Sequence, residues 1–363
     1  MTNTVAGAPD NTQAKEPMTP KPGDKCVTVI FNPVSGTGDP DERRKAISDA
    51  LAEHGYTCQI EATTKENGAG KMAHEALSRK VDLLVVSGGD GTVMEVLQAA
   101  IGSNVPVAVI PAGTGNLLSV NLGIPSKVPD AVHIALSGKP FKLDLGKTGN
   151  GEYFAIMGGI GLDAQMIHDA DREAKRKLGK AAYLWAALKN IKRRHAYVEI
   201  TLDGQAPLRR RAKMVIVANM GKVTGGLEAI PTASPNDGLL DVGIVSAETM
   251  GQWLRLIGYA LMGRTQSAPE LDVRQAKKIR IRTPWPQPAQ LDGESEGDVE
   301  LWDIEAVPEA VQIMLPIDAP AAADTKTSPE KAAAEQADRN FGFLTGVLVS
   351  IALIVFLVKR KRQ

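Results

Sequence analysis

The 363-residue chain reads as an α/β domain with a doubly wound, mostly parallel sheet, joined to an antiparallel β-sandwich domain and ending in a transmembrane helix. Three observations predict this. From Val27 to Pro111 apolar strand-like runs alternate with helix-like stretches; past residue 143 short β-rich runs are spaced by turns; and residues 341–358 carry no charged side chain.

Taken in order, residues 1–24 hold Pro9, Pro17, Pro20 and Pro22 among polar residues and no apolar run, so a flexible tail is expected rather than a secretory signal. In residues 25–143 the expected strands are Val27–Asn32, Thr57–Ala62, Leu83–Ser87 and Val107–Pro111, with helices at 41–54, 67–79 and 92–101. In residues 144–303 the runs Tyr153–Met157, Tyr197–Leu202, Lys213–Ala218, Leu240–Val245 and Lys278–Arg282 read as sandwich strands, interrupted by helix-like insertions at 166–193 and 249–262. Residues 318–340 form an Ala-, Pro- and charge-rich linker, in which Ser328-Pro329 suits the start of a helical stalk. Phe341–Val358 is apolar all round, and at about 1.5 Å per residue it reaches about 27 Å, enough for a bilayer core of about 30 Å. A basic tail, 359–363, follows.

Composition excludes some functions. Lys and Arg balance Asp and Glu at 42 each, which argues against an electrostatic nucleic-acid binder. Cys26 and Cys58 lie in apolar-rich strand candidates, pointing to buried thiols in a reducing compartment. The five histidines, His54, His74, His133, His168 and His195, lack ligand spacing, so neither zinc nor a histidine base is expected.

Three glycine-bearing loops follow strands: Asn32-Pro33-Val34-Ser35-Gly36, Ser87-Gly88-Gly89-Asp90-Gly91-Thr92 and Pro111-Ala112-Gly113-Thr114-Gly115-Asn116. In a parallel sheet all three emerge at the strands' carboxyl ends and converge on one cleft, where bare amides and a helix's positive end suit phosphate. This marks the first domain as nucleotide-binding. Gly70-Lys71 is not a Walker A motif, because Met72 follows and Lys65 stands where glycine is needed. Asp90 would repel phosphate unless a Mg²⁺ or a substrate hydroxyl lies between them; capping the following helix is its alternative role.

The ordered set GGDGT, PAGTGN, GGIGLDA, ANMGKVTGG, NDGLLDV and LDGE resembles the diacylglycerol kinase catalytic family, which includes sphingosine kinases and bacterial lipid kinases, over residues 25–316. The resemblance implies a nucleotide domain, a β-sandwich and a last strand, in 304–317, returning to the first domain through Val311–Leu315. It implies ATP and Mg²⁺ as cofactors and a lipid hydroxyl as acceptor, diacylglycerol giving phosphatidic acid first, a sphingoid base or another lipid second. NAD kinase and a silent lipid-binding scaffold are the disfavoured alternatives.

By resemblance, Asn32, Pro33, Val34, Ser35 and Gly36 cradle the nucleotide together with Gly89, Asp90, Gly91, Thr92, Val93, Met94 and Glu95. Thr64 and Thr114 add contacts, with Thr63 leaving the register of Thr64 open by one. Glu294 is the expected proton acceptor, with Asp292 projected beside it by the turn at Gly293. Asp90 is the rival base, better suited to positioning; a solvated acidic turn with Glu296 and Asp298 is the ordinary alternative. Asp163 would join Mg²⁺ through water, or cap a helix. Asp237, with the carbonyls of Ser234 and Leu239, would hold a structural Mg²⁺, or Asn236–Leu239 is simply a hairpin turn.

The basic stretch 172–194 would either lie on anionic lipid or pack on the sandwich. A single-pass anchor with cytoplasmic catalytic domains follows from the need for ATP; the positive-inside tendency of Lys359–Arg362 leaves the side of the tail open, and a homodimer stays open too.

Overall fold

A computed structural model describes residues 26–36, 38–56, 58–161, 196–223 and 227–317. Strand β1 (Val27–Phe31) pairs in parallel with β2 (Gln59–Ala62) on one side and β3 (Leu83–Gly88) on the other, and β3 pairs with β4 (Val107–Pro111). The spatial order β4-β3-β1-β2 means the chain winds away from β1 in both directions, which opens a crevice between the carboxyl ends of β1 and β3.

β1, β3 and β4 are buried along their whole length, because helices cover both faces. Helices α1 (Pro40–Glu53) and α5 (Val128–Ser137) pack on Val29, Phe31 and Ile110. Helices α2 (Ala69–Ser78) and α3 (Asp90–Ala100) pack on Ile30, Leu84 and Val109. The short α4 (Leu117–Leu122) and α5 were not expected from the sequence; neither is capped by the side chain of its own N-cap residue, Asn116 or Lys127, the local signal that marks a helix start. A second difference concerns α3, which begins at Asp90 rather than at residue 92, so Asp90 belongs to its first turn and Gly89 is the cap residue.

Strand β5 (Lys139–Thr148) leads into the second domain: β6 (Tyr153–Phe154), β7 (Met157–Gly161), β8 (Ala196–Leu202), β9 (Leu208–Ala212), β10 (Met214–Ala218), the small hairpin β11 (Lys222–Val223) and β12 (Leu227–Glu228), β13 (Leu240–Val245), α6 (Met250–Leu261), β14 (Leu271–Ala276), β15 (Lys278–Leu291) and β16 (Glu294–Leu315). Apart from β11–β12 these strands belong to the same sheet that holds β1–β4 and pair antiparallel with one another, while β16, placed between β15 and β4, pairs in parallel with β4. The core between the sandwich layers is Phe154, Ile160, Ile200, Val217, Ile281, Trp302 and Ile304.

β16 is 22 residues long, pairs with β15 at one end, and reaches β4 at the other through Ile313 and Val107. The divisions expected at 143/144 and 303/304 therefore fall inside strands β5 and β16, since continuous hydrogen-bonded strands rather than linkers join the domains. The thiols also differ from expectation. Cys26 and Cys58 are free and only half-buried, and they pack on opposite faces of the sheet.

Among the described residues no helix is long and apolar enough to cross a membrane. The tail 1–24, Asp163, the basic stretch 172–194, the linker 318–340, the expected span 341–358 and the tail 359–363 lie outside the described residues.

Candidate active site

The three loops meet at the crevice. Ser35 Oγ accepts the Gly89 N–H at 3.2 Å, and Asn32 Nδ2 donates to Thr92 Oγ1 at 2.7 Å, so the loop after β1 is fastened to the start of α3. Gly36 takes a φ of +86°, and a Cβ there would collide with the Ala112 carbonyl oxygen, which places the third loop against the first. A Cβ on Gly113 would stand 2.7 Å from Gly89 Cα. Only glycine permits both approaches. The third loop is clasped by Asn116, whose side chain exchanges two 2.7 Å hydrogen bonds with the Gly113 backbone.

Arg43, a residue sequence reasoning missed, holds the first loop from behind. Its guanidinium donates to the carbonyls of Ser35 at 2.5 Å and Asn32 at 2.6 Å, and lies 4.7 Å from the Phe31 ring centroid. Its signal was its position one turn into the helix after the loop. The N-terminus of α3, which has no side-chain cap on Gly89, turns its positive end to the crevice.

Two carboxylates enter this space by different routes. Asp90 Oδ1 accepts the Leu118 N–H at 3.3 Å and so caps α4; burial pushes its carboxyl above the ordinary range, opposed by the amides of Leu118, Leu117 and Asn116. Glu294 opens β16, and its Oε1 lies 3.1 Å from where a Cβ on Gly91 would stand. Its carboxylate makes no hydrogen bond to the described residues, faces solvent, and borders the first turn of α3.

Asp292 corrects one expectation. It does not project beside Glu294; its carboxylate turns into the fold and accepts the amides of Ala155 at 2.8 Å, Ile156 at 3.0 Å and Met157 at 2.8 Å. The two-residue turn between Leu291 and Glu294, in which Asp292 (φ 46°) and Gly293 (φ 91°) are both left-handed, brings Asp292 within reach of these amides, and the amides fix it there. Burial lifts the Asp292 carboxyl to about 6 against the pull of those three amides, and Asp90 adds repulsion. Asp292 is therefore a positioning residue for the hairpin that carries Glu294.

Other expected contacts are narrowed. Val93 is withdrawn from the nucleotide set, because its side chain is in the core and its N–H donates to Gly89 O. Met94 packs against the same core, and Glu95 Oε2 accepts the Gly70 N–H at 3.1 Å, capping α2. Thr64 is the turn residue, exchanging hydrogen bonds with Asn67, while Thr63 extends the pairing of β1 and β2 through Phe31 O. Pro33 is half-buried at the crevice wall; Val34 and Thr114 are exposed at its rim.

Ser234, Asp237 and Leu239 fall together in the turn before β13, where Asp237 Oδ1 accepts the Leu239 N–H at 2.9 Å. The buried Asp144 holds this turn from below by accepting the Gly238 N–H at 2.7 Å, and its other oxygen accepts the Glu309 N–H at 2.7 Å. Burial raises Asp237, and repulsion from Asp241 and Asp144 raises it further. This anionic, all-oxygen setting suits a hard cation, although no three acidic, His or Cys side chains converge as a ligand set among the described residues.

Two family models match the chain in tandem: the diacylglycerol kinase catalytic domain over residues 26–148, and the YegS C-terminal NAD kinase β-sandwich-like domain over residues 157–315. The chain belongs to the diacylglycerol kinase catalytic family. It is accordingly a lipid kinase that uses ATP. A diacylglycerol kinase of Bacillus subtilis is 29% identical over 278 residues, covering 75% of this chain and 91% of that one. A diacylglycerol kinase of Mycobacterium tuberculosis H37Rv is 27% identical over 299 residues, covering 80% and 95%. A crystal structure of a diacylglycerol kinase from Bacillus anthracis Sterne superposes with a TM-score of 0.67 at 29% identity, covering 80% of this chain and 97% of that one.

Proposed function

We propose that this chain transfers the γ-phosphoryl group of ATP to the free hydroxyl of a diacylglycerol, yielding phosphatidic acid. The observation that carries the reading is the Glu294 carboxylate, which no described residue hydrogen-bonds, beside Gly91 at the positive end of α3. The lipid oxygen attacks the γ-phosphorus, the bond to ADP breaks, and Glu294 takes the hydroxyl proton.

The amides of Gly89–Thr92, the loop Asn32–Gly36 and the rim residues Thr64 and Thr114 would hold the triphosphate. Asp90 positions rather than deprotonates, because its carboxylate is committed to α4. Mg²⁺ would neutralise phosphate charge near Asp90 and be linked to Asp163 through water, while a second ion would sit at Asp237 with the carbonyls of Ser234 and Leu239. The names of the Bacillus and Mycobacterium relatives support the acceptor class. Residues 341–358 would anchor the chain in a bilayer, with the catalytic domains on the ATP-bearing cytoplasmic side and 172–194 on the headgroups.

Incubating the purified full chain with radiolabelled ATP and a total lipid extract tests this. Labelled phosphatidic acid is expected. A different labelled lipid would reassign the acceptor, and the absence of any labelled lipid would end the proposal.

A further inference from the structure

Helix α6 leaves the sandwich, packs against β12 and the turn at Thr265–Ser267, and rejoins the sheet at β14. Its start is set by a capping box between Thr249 and Gln252, and its middle is tied down by an ion pair from Arg255 to the buried Glu270. It is therefore a formed helix, held by its polar groups. Its apolar side chains are not used to the same extent. Apart from Gln252, Arg255, the Tyr259 hydroxyl and the Trp253 N–H its side chains are apolar, yet none of its residues is buried.

The exposure is ordered. Met250, Leu254, Gly258 and Met262 follow one another at intervals of four, which puts them in one row along the helix. Met250 is 44% exposed, Leu254 43% and Met262 58%, and a Cβ on Gly258 would meet nothing within 4 Å. The row is about 18 Å long and carries no charge. Charges flank it on both sides: Arg255 and Arg264, with Glu248 before the helix and Glu228 near Gly263. Their signs cancel, so attraction here has to come from apolar burial rather than from net charge.

The helix is linked to the active site by packed elements. Asp90 caps α4; Asn121 of α4 exchanges hydrogen bonds with the Lys222 backbone at 2.9 and 3.0 Å; Lys222 belongs to the β11–β12 hairpin, and β12 packs on α6. A lipid kinase must meet an acceptor whose acyl chains stay in a bilayer. Flexible unbranched Met250 and Met262, with Leu254 and a glycine between them, suit disordered acyl chains better than a shaped protein pocket.

We propose that the row Met250, Leu254, Gly258 and Met262, on α6 and its C-cap, is a bilayer-contact surface that inserts shallowly and holds the chain at the bilayer in which its acceptor resides. This rests on the lipid-kinase reading for its purpose, but its test does not. The first measurement is amide hydrogen exchange of the full chain with phosphatidylcholine–phosphatidylglycerol vesicles and no substrate. Residues 250–262 are expected to gain protection, and the gain is expected to survive high salt. Exchange unchanged in this helix overturns the proposal even if the chain phosphorylates lipid. Loss of the gain at high salt also overturns it, because the contact would then be electrostatic.

The second measurement uses the double variant Leu254→Gln, Met262→Gln in the full chain. KM for long-chain diacylglycerol in vesicles is expected to rise about tenfold, the order of one inserted leucine side chain, with kcat unchanged on a water-soluble short-chain diacylglycerol. An equal loss on both substrates would mean a structural role, and a concentration-dependent dimer abolished by the same variant would make the row a contact between copies. Either result overturns the bilayer assignment.

Discussion

Replacing the Glu294 carboxylate by an amide keeps its size and its place beside Gly91 but removes its capacity to accept a proton. Glu294→Gln is expected to lower kcat by about 10²-fold or more while ATP affinity stays near that of the parent, as measured by steady-state kinetics and nucleotide titration. Asp292 behaves differently, because three amides fix it and its carboxyl titrates at about 6. Its folded value lies above its ordinary one, so the stability it contributes is present at acid pH and is lost as pH rises through about 6. The ionised form, which accepts all three amides, is thus held at a cost to the fold in order to place Glu294. The kcat–pH profile should carry an acid-side inflection near the Asp292 value, and Asp292→Asn should remove that inflection; an inflection unchanged in the variant would assign it to another group.

At the scale of elements, the crevice depends on loops that approach more closely than side chains allow. Gly36→Ala adds a Cβ against Ala112 O at a φ that disfavours alanine, so the first and third loops must separate. KM for ATP is expected to rise about tenfold with global stability little changed, because the loops lie at the rim and the strands beneath them are intact. Loop convergence was legible in the sequence: apolar runs followed by glycine-bearing turns imply strand ends, and strand ends in a parallel sheet share an edge. The clasps were not legible. Arg43 behind the first loop, Asn116 within the third and Asn121 beneath the β11–β12 hairpin each act through backbone atoms, which no residue pattern announces.

For the whole molecule, the decisive feature is that both domains share one sheet through β16. Asp144 is the rivet at that junction, since one carboxylate oxygen holds the 234–239 turn and the other holds the β16 bulge at Glu309. Asp144→Ala strands two amide donors while sparing the carboxylate's desolvation, so a net loss of about 2 kcal/mol is expected, a fall in Tm of roughly 4–8 °C by calorimetry. A chain truncated near Asp318 should bind ATP and remain in the supernatant after ultracentrifugation; recovery only with membranes would move the anchoring role to residues 172–194 or α6.

Periodicity and punctuation along the chain determined the two-domain α/β and sandwich architecture and the three loops, because these depend on neighbours close in sequence; the acidic residues stood out only through the resemblance of motifs such as LDGE to the diacylglycerol kinase catalytic family. Tertiary structure alone decided which carboxylate is left without a hydrogen-bond partner among the described residues. Asp292 and Glu294 stand two residues apart, and only the amides of residues 155–157, far away in the chain, turn one inward and leave the other facing α3. That choice is made by long-range hydrogen bonding, which composition and spacing do not encode.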